Sequence, residues 1–242
     1  MSRMLLTGGS GRLGTELRAL LPDLIVPPRT ELDITRPDTV VAALDRYQPS
    51  VLLHAAAYTD VARAEQDRTT CWQTNVGGTR HLVRAAQERG LFMLHVSTDY
   101  VFAGTHGGYR EDDPVGPVLN YYALSKLVAE ELVRLVPQHL VIRTSFRPRA
   151  WPYPTAFTDV FTSQDYVDVI APELALAIRH CADIPYQTLH IATERKSVYE
   201  LARRRKPDVQ PGTKTTAPVR LPDDISMDIS RWQALKALWH VS

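Results

Sequence analysis

The chain is poor in cysteine, in long apolar runs and in charge of one sign. Its two cysteines, Cys71 and Cys181, stand far apart in 242 residues with no partner motif. That argues against a disulfide framework and against a metal site. No apolar stretch is long enough to span a bilayer, and the opening Met1–Leu6 run is too short for a signal-peptide core. The expectation is a soluble cytoplasmic protein with no membrane partner. A net charge of +1 removes any global argument for nucleic acid. The basic run Arg203-Arg204-Arg205-Lys206 reads as the C-terminal end of a helix stopped by Pro207, not as a nucleic-acid patch. Internal repeats and low-complexity tracts are lacking too.

What is present is an alternation of short apolar runs with helical periodicity. Strands are predicted at Met4–Thr7, Leu24–Val26, Val51–Ala55, Phe92–Ser97 and Leu140–Thr144. Helices are predicted after Leu13 and over Asp38–Tyr47, Thr70–Arg89 and Asn120–Leu135. This is the pattern of an α/β protein with a doubly wound parallel sheet, a Rossmann fold. After Thr144 the pattern loosens, with three prolines between residues 147 and 165. Helices are expected at Ala171–His180, Val198–Lys206 and around Trp232–Trp239. The division expected is a Rossmann domain over 1–145 and a small C-terminal substrate lobe over 146–242, interleaved with the end of the sheet.

Between the first strand and first helix lies Thr7-Gly8-Gly9-Ser10-Gly11-Arg12-Leu13-Gly14. Gly8 suits a sharp turn, Gly11 the approach of a pyrophosphate to the backbone, and Gly14 close helix–strand packing. The phosphates would sit on the helix N-terminus. At the end of the second strand Pro27-Pro28-Arg29 stands where an acidic residue would bind a ribose 2′-hydroxyl, and no carboxylate occurs before Glu31. Arg29, helped by Arg12, could pair with a 2′-phosphate, so NADPH is the expected cofactor, with NADH the alternative. Asp33 lies farther on, within reach of the adenine.

Tyr122 and Lys126 share one face of a helix at i and i+4. An ammonium beside a phenol favours the phenolate, which would tune Tyr122 toward reversible proton transfer near neutrality. Ser97-Thr98 ends the fourth strand, where ligands bind in doubly wound sheets.

Five motifs occur in order: Gly8-x-x-Gly11-x-x-Gly14, His54-Ala-Ala-Ala-Tyr-Thr, Asn75-Val-Gly-Gly-Thr, Ser97-Thr-Asp-Tyr-Val-Phe and Asn120-Tyr-Tyr-Ala-Leu-Ser-Lys. Glu111-Asp-Asp-Pro and Arg143-Thr-Ser join them. Over residues 1–145 the chain resembles the extended short-chain dehydrogenase/reductases, most closely the dTDP-4-dehydrorhamnose reductase branch. The resemblance implies that Thr98, Tyr122 and Lys126 are catalytic and that Tyr122 and Lys126 also touch the cofactor. It implies a nicotinamide groove lined by Ala55, Ala56, Ala57 and Tyr58, with Asn75 positioning the cofactor. Ser10, Leu13 and Ile34 complete the cofactor set, and Asp99 and Tyr100 would reach the sugar. The implied reaction is NAD(P)H-dependent reduction of a 4-keto deoxysugar nucleotide or a related small molecule, by a protein compatible with a homodimer. An epimerase, or an NADP-binding regulatory subunit without catalysis, are the alternatives. A dehydratase is disfavoured, because Asp99-Tyr100 follows Thr98 where those enzymes place Asp-Glu.

The likeness thins at four places. His54 stands where the branch has Asn and Ala62 where it has an acid; His54 is read as a hydrogen-bonding residue at a strand end rather than a base. The stretch from Arg143 to Asp165–Asp168 is short, and Pro218–Pro222 with Ser226–Ser230 match the branch's C-terminal substrate segment only loosely.

Overall fold

A computed structural model describes residues 3–217 and 220–240. Pro218 and Val219, part of that loosely matching segment, lie outside the described residues.

Four strands alternate with helices in the first part of the chain: β1 (Met4–Thr7), β2 (Val51–His54), β3 (Phe92–Thr98) and β4 (His139–Thr144). After the short β5 (Phe146–Arg147), β6 (Thr155–Phe157), β7 (Phe161–Thr162) and β8 (Asp165–Tyr166), the chain returns to the sheet as β9 (Thr188–His190). The sheet order is β1-β2-β3-β4-β9, parallel throughout. Neighbouring residues on each strand point to opposite faces. Leu6, Leu53, Leu94 and Ile142 face one core layer, and Leu5, Leu52, Met93 and Val141 the other. Both faces are apolar because both are covered by helices. The first layer receives α1 (Arg12–Leu20) through Leu13 and Leu17. The second receives α2 (Pro37–Tyr47) through Val40 and Leu44.

Between β2 and β3 run α3 (Val61–Gln66), α4 (Arg68–Trp72) and α5 (Thr79–Arg89). The single helix expected over Thr70–Arg89 is interrupted by a π-helical stretch, Gln73–Gly78. Gly78 explains the close seating there, since a Cβ at that position would fall 2.7 Å from the Ile34 side chain. The expected strand at Leu24–Val26 is a single bridge, Leu5 with Ile25, closed by two backbone hydrogen bonds to β1. Pro27 and Pro28 follow at once and cannot donate to a ladder. Ile25 lies on one side of β1 and β2 on the other, so the strand order reverses at β1. That reversal is where α/β sheets bind ligands.

α6 (Tyr121–Val133) crosses from the long loop back to the sheet, capped by the Asn120 side chain on the Ala123 N–H. Past β4 the chain does not leave the Rossmann core. α7 (Val167–Arg179) buries Ile170, Leu174 and Ile178 against α1 and the sheet, and Leu189 of β9 joins the same layer. α8 (Val198–Arg203), opened by a Ser197/Glu200 capping box, packs on a separate small core of Trp151, Ala156, Val160 and Val209. That small core is stitched by the pairs β5–β8, β6 with β11 (Gln210–Gly212), and β7 with β10 (Lys196–Ser197). The last helix, α9 (Ser230–His240), returns Trp232 and Leu235 to the main core. Three members of the basic run are paired at the surface. Arg204 pairs with Asp165 and Glu194, Arg205 with Asp168, and Lys206 donates to the Tyr153 carbonyl.

Candidate active site

The glycine loop forms a cradle against the end of β2. Gly8 has φ +79°, and a Cβ there would lie 2.6 Å from the Ala56 nitrogen. A Cβ on Gly14 would lie 2.2 Å from the Gly8 carbonyl oxygen, so α1 approaches the loop only as far as glycine allows. α1 starts at Arg12 with no side-chain cap and no acid in its first turn. Its first N–H groups and positive dipole end are left to an anion. Ser10 and Arg12 are exposed at this opening, whereas Leu13 is buried beneath it.

Arg29 is exposed and donates to Asp33 at 3.3 Å. Asp33 also accepts from the Thr35 N–H and hydroxyl, so its carboxylate shapes a turn. Ile34 is buried under that turn. Ala55, Ala56 and Ala57 continue from β2, with the Ala56 N–H donating to the Thr7 hydroxyl. The Asn75 side chain accepts from the Tyr58 N–H at 2.7 Å and donates to the Tyr58 carbonyl at 3.1 Å. Asn75 is buried, so it holds the wall of the groove by its backbone instead of facing the groove. It donates in addition to Ser125 on α6, tying that wall to the helix carrying Tyr122.

Tyr122, Lys126 and Glu130 recur every fourth residue on α6 and face the sheet. Tyr122 is buried, 6.2 Å edge-on from Tyr100. Thr98 donates to the Asp99 carboxylate at 3.0 Å and accepts from the Tyr100 N–H. Burial and the Asp99 charge push the Tyr122 phenol up, and a hydrogen bond from Thr98 opposes them. Lys126 does not lower it, contrary to the sequence expectation. The ammonium is directed away, to the Val96 carbonyl at 2.8 Å and His95 Nε2 at 3.1 Å. Burial brings Lys126 down to about 8, opposed by the carboxylate of Glu130. At neutral pH the site therefore presents a protonated phenol.

His95 is the residue that sequence reasoning missed. It lies on β3 three residues before Thr98, and its only signal was a polar residue inside an otherwise apolar run. His54 has the place expected of it: its ring bridges the hydroxyls of Thr7 and Thr79, both at 2.9 Å, and burial holds it down to about 3. It is a neutral structural histidine.

Burial raises the Asp99 carboxyl to about 6, against hydrogen bonds from Thr98 and Ser145 and the charge of Arg147. Asp99 is 1% exposed, so the folded state holds this proton where the unfolded chain has already lost it. Its contribution to stability is full below about pH 4 and is lost as pH rises through about 6. Asp99→Asn is expected to raise stability by about 3 kcal/mol at pH 7.5, the difference closing near pH 4. Urea unfolding at both pH values tests this, and a gain equal at the two would contradict it.

A cavity of about 810 Å³ lies elsewhere, lined by Glu111, Pro114, Arg134, Arg143, Tyr186 and Arg231 among others. Its arginines are already paired, with Glu130, Glu131, Glu111 and Asp112. Neither the glycine loop nor Tyr122 lines this cavity. Among those residues no group of three or more His, Cys, Asp or Glu is placed to hold a metal, and no helix is long and apolar enough to cross a membrane.

The sequence profile of the RmlD substrate binding domain matches residues 2–171. The chain belongs to that family. It is 40% identical over 153 residues to a dTDP-4-dehydrorhamnose reductase of Aggregatibacter actinomycetemcomitans, covering 60% of this chain and 52% of that one. To the enzyme of the same name from Mycobacterium tuberculosis H37Rv it is 36% identical over 180 residues, 69% of this chain and 54% of that one. The chain thus spans about half the length of the curated relatives it matches. Solved structures align along nearly the whole fold. A hypothetical dTDP-4-dehydrorhamnose reductase from Sulfolobus tokodaii superposes with TM-score 0.84 at 32% identity, over 96% of this chain and 94% of that one. The Bacillus anthracis dTDP-4-dehydrorhamnose reductase, in complex with NADP, superposes with TM-score 0.82 at 25% identity, over 100% and 98%.

Proposed function

We propose that the chain is an NADPH-dependent reductase of a 4-keto deoxysugar nucleotide. The observation that carries this reading is the burial of Tyr122 against Thr98 and the Asp99 charge at the C-terminal end of β3, with Lys126 one turn farther along α6. The cradle fits a dinucleotide, because Gly8 and Gly14 leave no room for a Cβ and α1 offers uncapped N–H groups. The names of the relatives and the NADP in the Bacillus anthracis structure support the same chemistry.

The roles follow from the groups themselves. When bound, the reduced nicotinamide supplies the hydride. Tyr122 supplies the proton to the carbonyl oxygen, and its burial keeps that proton in place until a developing alkoxide can take it. Thr98 offers a hydroxyl from the adjacent strand end to orient the same oxygen. Lys126, anchored on Val96 and His95, carries a fixed positive charge one turn along α6 from the phenol. Asp99 and Tyr100 wall the side on which the sugar would enter. Arg12 and Arg29 are exposed cations on the segments that follow β1 and the Ile25 bridge, which supports NADPH over NADH.

Titration with both cofactors tests the binding half of this reading. NADPH should bind about tenfold tighter than NADH or better, and Arg29→Ala should erase most of the difference. Tighter binding of NADH would reverse the assignment.

A further inference from the structure

We infer that Arg147 is an anchor for a phosphate-type anion carried by the substrate. The inference rests on reading the Thr98–Tyr122 edge as the reacting site.

Thr98 and Thr144 stand side by side in the β3–β4 register, and Arg147 follows only three residues later, on β5. Its backbone is fixed by pairing with Tyr166 on β8. The guanidinium sits 5.4 Å from the centre of the Trp151 ring, so its stem and one face are packed. Its charge opposes the upward shifts of Asp99 and Tyr100, which follow Thr98, and of Tyr166 on β8.

Four other arginines of this lobe each hold a carboxylate. Arg149 holds Glu16, Arg195 holds Asp224, Arg204 holds Asp165 and Arg205 holds Asp168. Arg147 is different: its Nε is buried without a hydrogen-bond partner, and among the described residues it has no carboxylate partner. Asp99, whose carboxyl the Arg147 charge helps to hold down, already accepts from Thr98 and Ser145. A buried N–H of a charged group left unpaired costs free energy, and folded proteins keep few of them. A guanidinium fork presents parallel donors that match phosphate oxygens, so a phosphate or diphosphate is the complement it fits. In a sugar nucleotide the diphosphate is that group.

The test is calorimetric titration of the NADP⁺-saturated protein with inorganic pyrophosphate and with dTDP, for wild type, Arg147→Leu and Arg147→Lys. Saturation with NADP⁺ removes the glycine loop as a competing anion site. Wild type should bind both probes. Arg147→Leu should weaken both by about 10- to 100-fold, and Arg147→Lys should fall between, keeping charge but losing the fork. Affinity for NADP⁺ should be unchanged in both variants, whereas loss of an arginine that only holds the fold would weaken it too. Wild-type affinity in Arg147→Leu, or no binding of either probe by wild type, would overturn the inference. Binding of pyrophosphate through Arg147 without turnover of any keto-sugar nucleotide would keep the anchor and defeat the substrate assignment instead.

Discussion

Replacing Tyr122 by phenylalanine is expected to lower kcat by about 10²- to 10⁴-fold while the Kd for NADPH stays within about twofold. The substitution removes one hydroxyl and keeps the ring that packs in the cluster of Ala64, Cys71 and Tyr58 and edge-on to Tyr100, so the fold has little reason to change. What is lost is the proton for the carbonyl oxygen. Steady-state turnover and fluorescence titration of NADPH separate the two effects. Equal turnover by wild type and Tyr122→Phe would remove Tyr122 from the chemistry, and a large loss of NADPH binding would make it a binding residue.

A second large effect is expected at a buried ion pair. Arg143→Leu should destabilise the protein by about 3–5 kcal/mol. Glu130 is 0% exposed, and its carboxylate is held by Arg143 Nε at 3.1 and 3.2 Å, by Ser97 at 2.9 Å and by Arg134 at 3.0 Å. Removing Arg143 strands a charge in the core, whereas Glu130→Leu with Arg143→Leu removes both and should recover much of the loss. These partners hold the Glu130 carboxyl below its ordinary value, so its contribution is present above the unfolded carboxyl pKa and lost as pH falls. Arg143→Leu should remove that acid-side dependence. Urea unfolding of the single and double variants across pH tests this, and a loss under 1 kcal/mol would show the pair to be dispensable. Glu130 also lies one turn from Lys126 and supports its charge, which links this buried pair to the active edge.

The parts legible in the sequence were those with local causes. Glycines that admit no Cβ, paired apolar residues on successive strands and the four-residue spacing of Tyr122 and Lys126 are written into short segments. The rest depends on partners far away in the chain. Thr188-Leu-His190 carries almost no strand signal, yet it completes the sheet because β4 offers it an open edge. Ile25 was read as part of a strand, but two prolines leave it one bridge. The direction of Lys126 follows from His95 on a neighbouring strand, so the spacing on α6 revealed the pair and not its electrostatics. Arg147 could not be singled out, since only the pairing of its neighbours shows that it lacks a partner.

The central claim is that this edge transfers a hydride from NADPH to a keto-sugar nucleotide. Its most direct measurement is incubation of the wild-type protein with 4-deuterated NADPH and dTDP-4-keto-6-deoxysugars, followed by mass and NMR analysis of the sugar. One deuterium should appear at C4 of the product for each NADPH oxidised, delivered from one face of the nicotinamide. Tight NADPH binding with no deuterium in any sugar of the panel would contradict it.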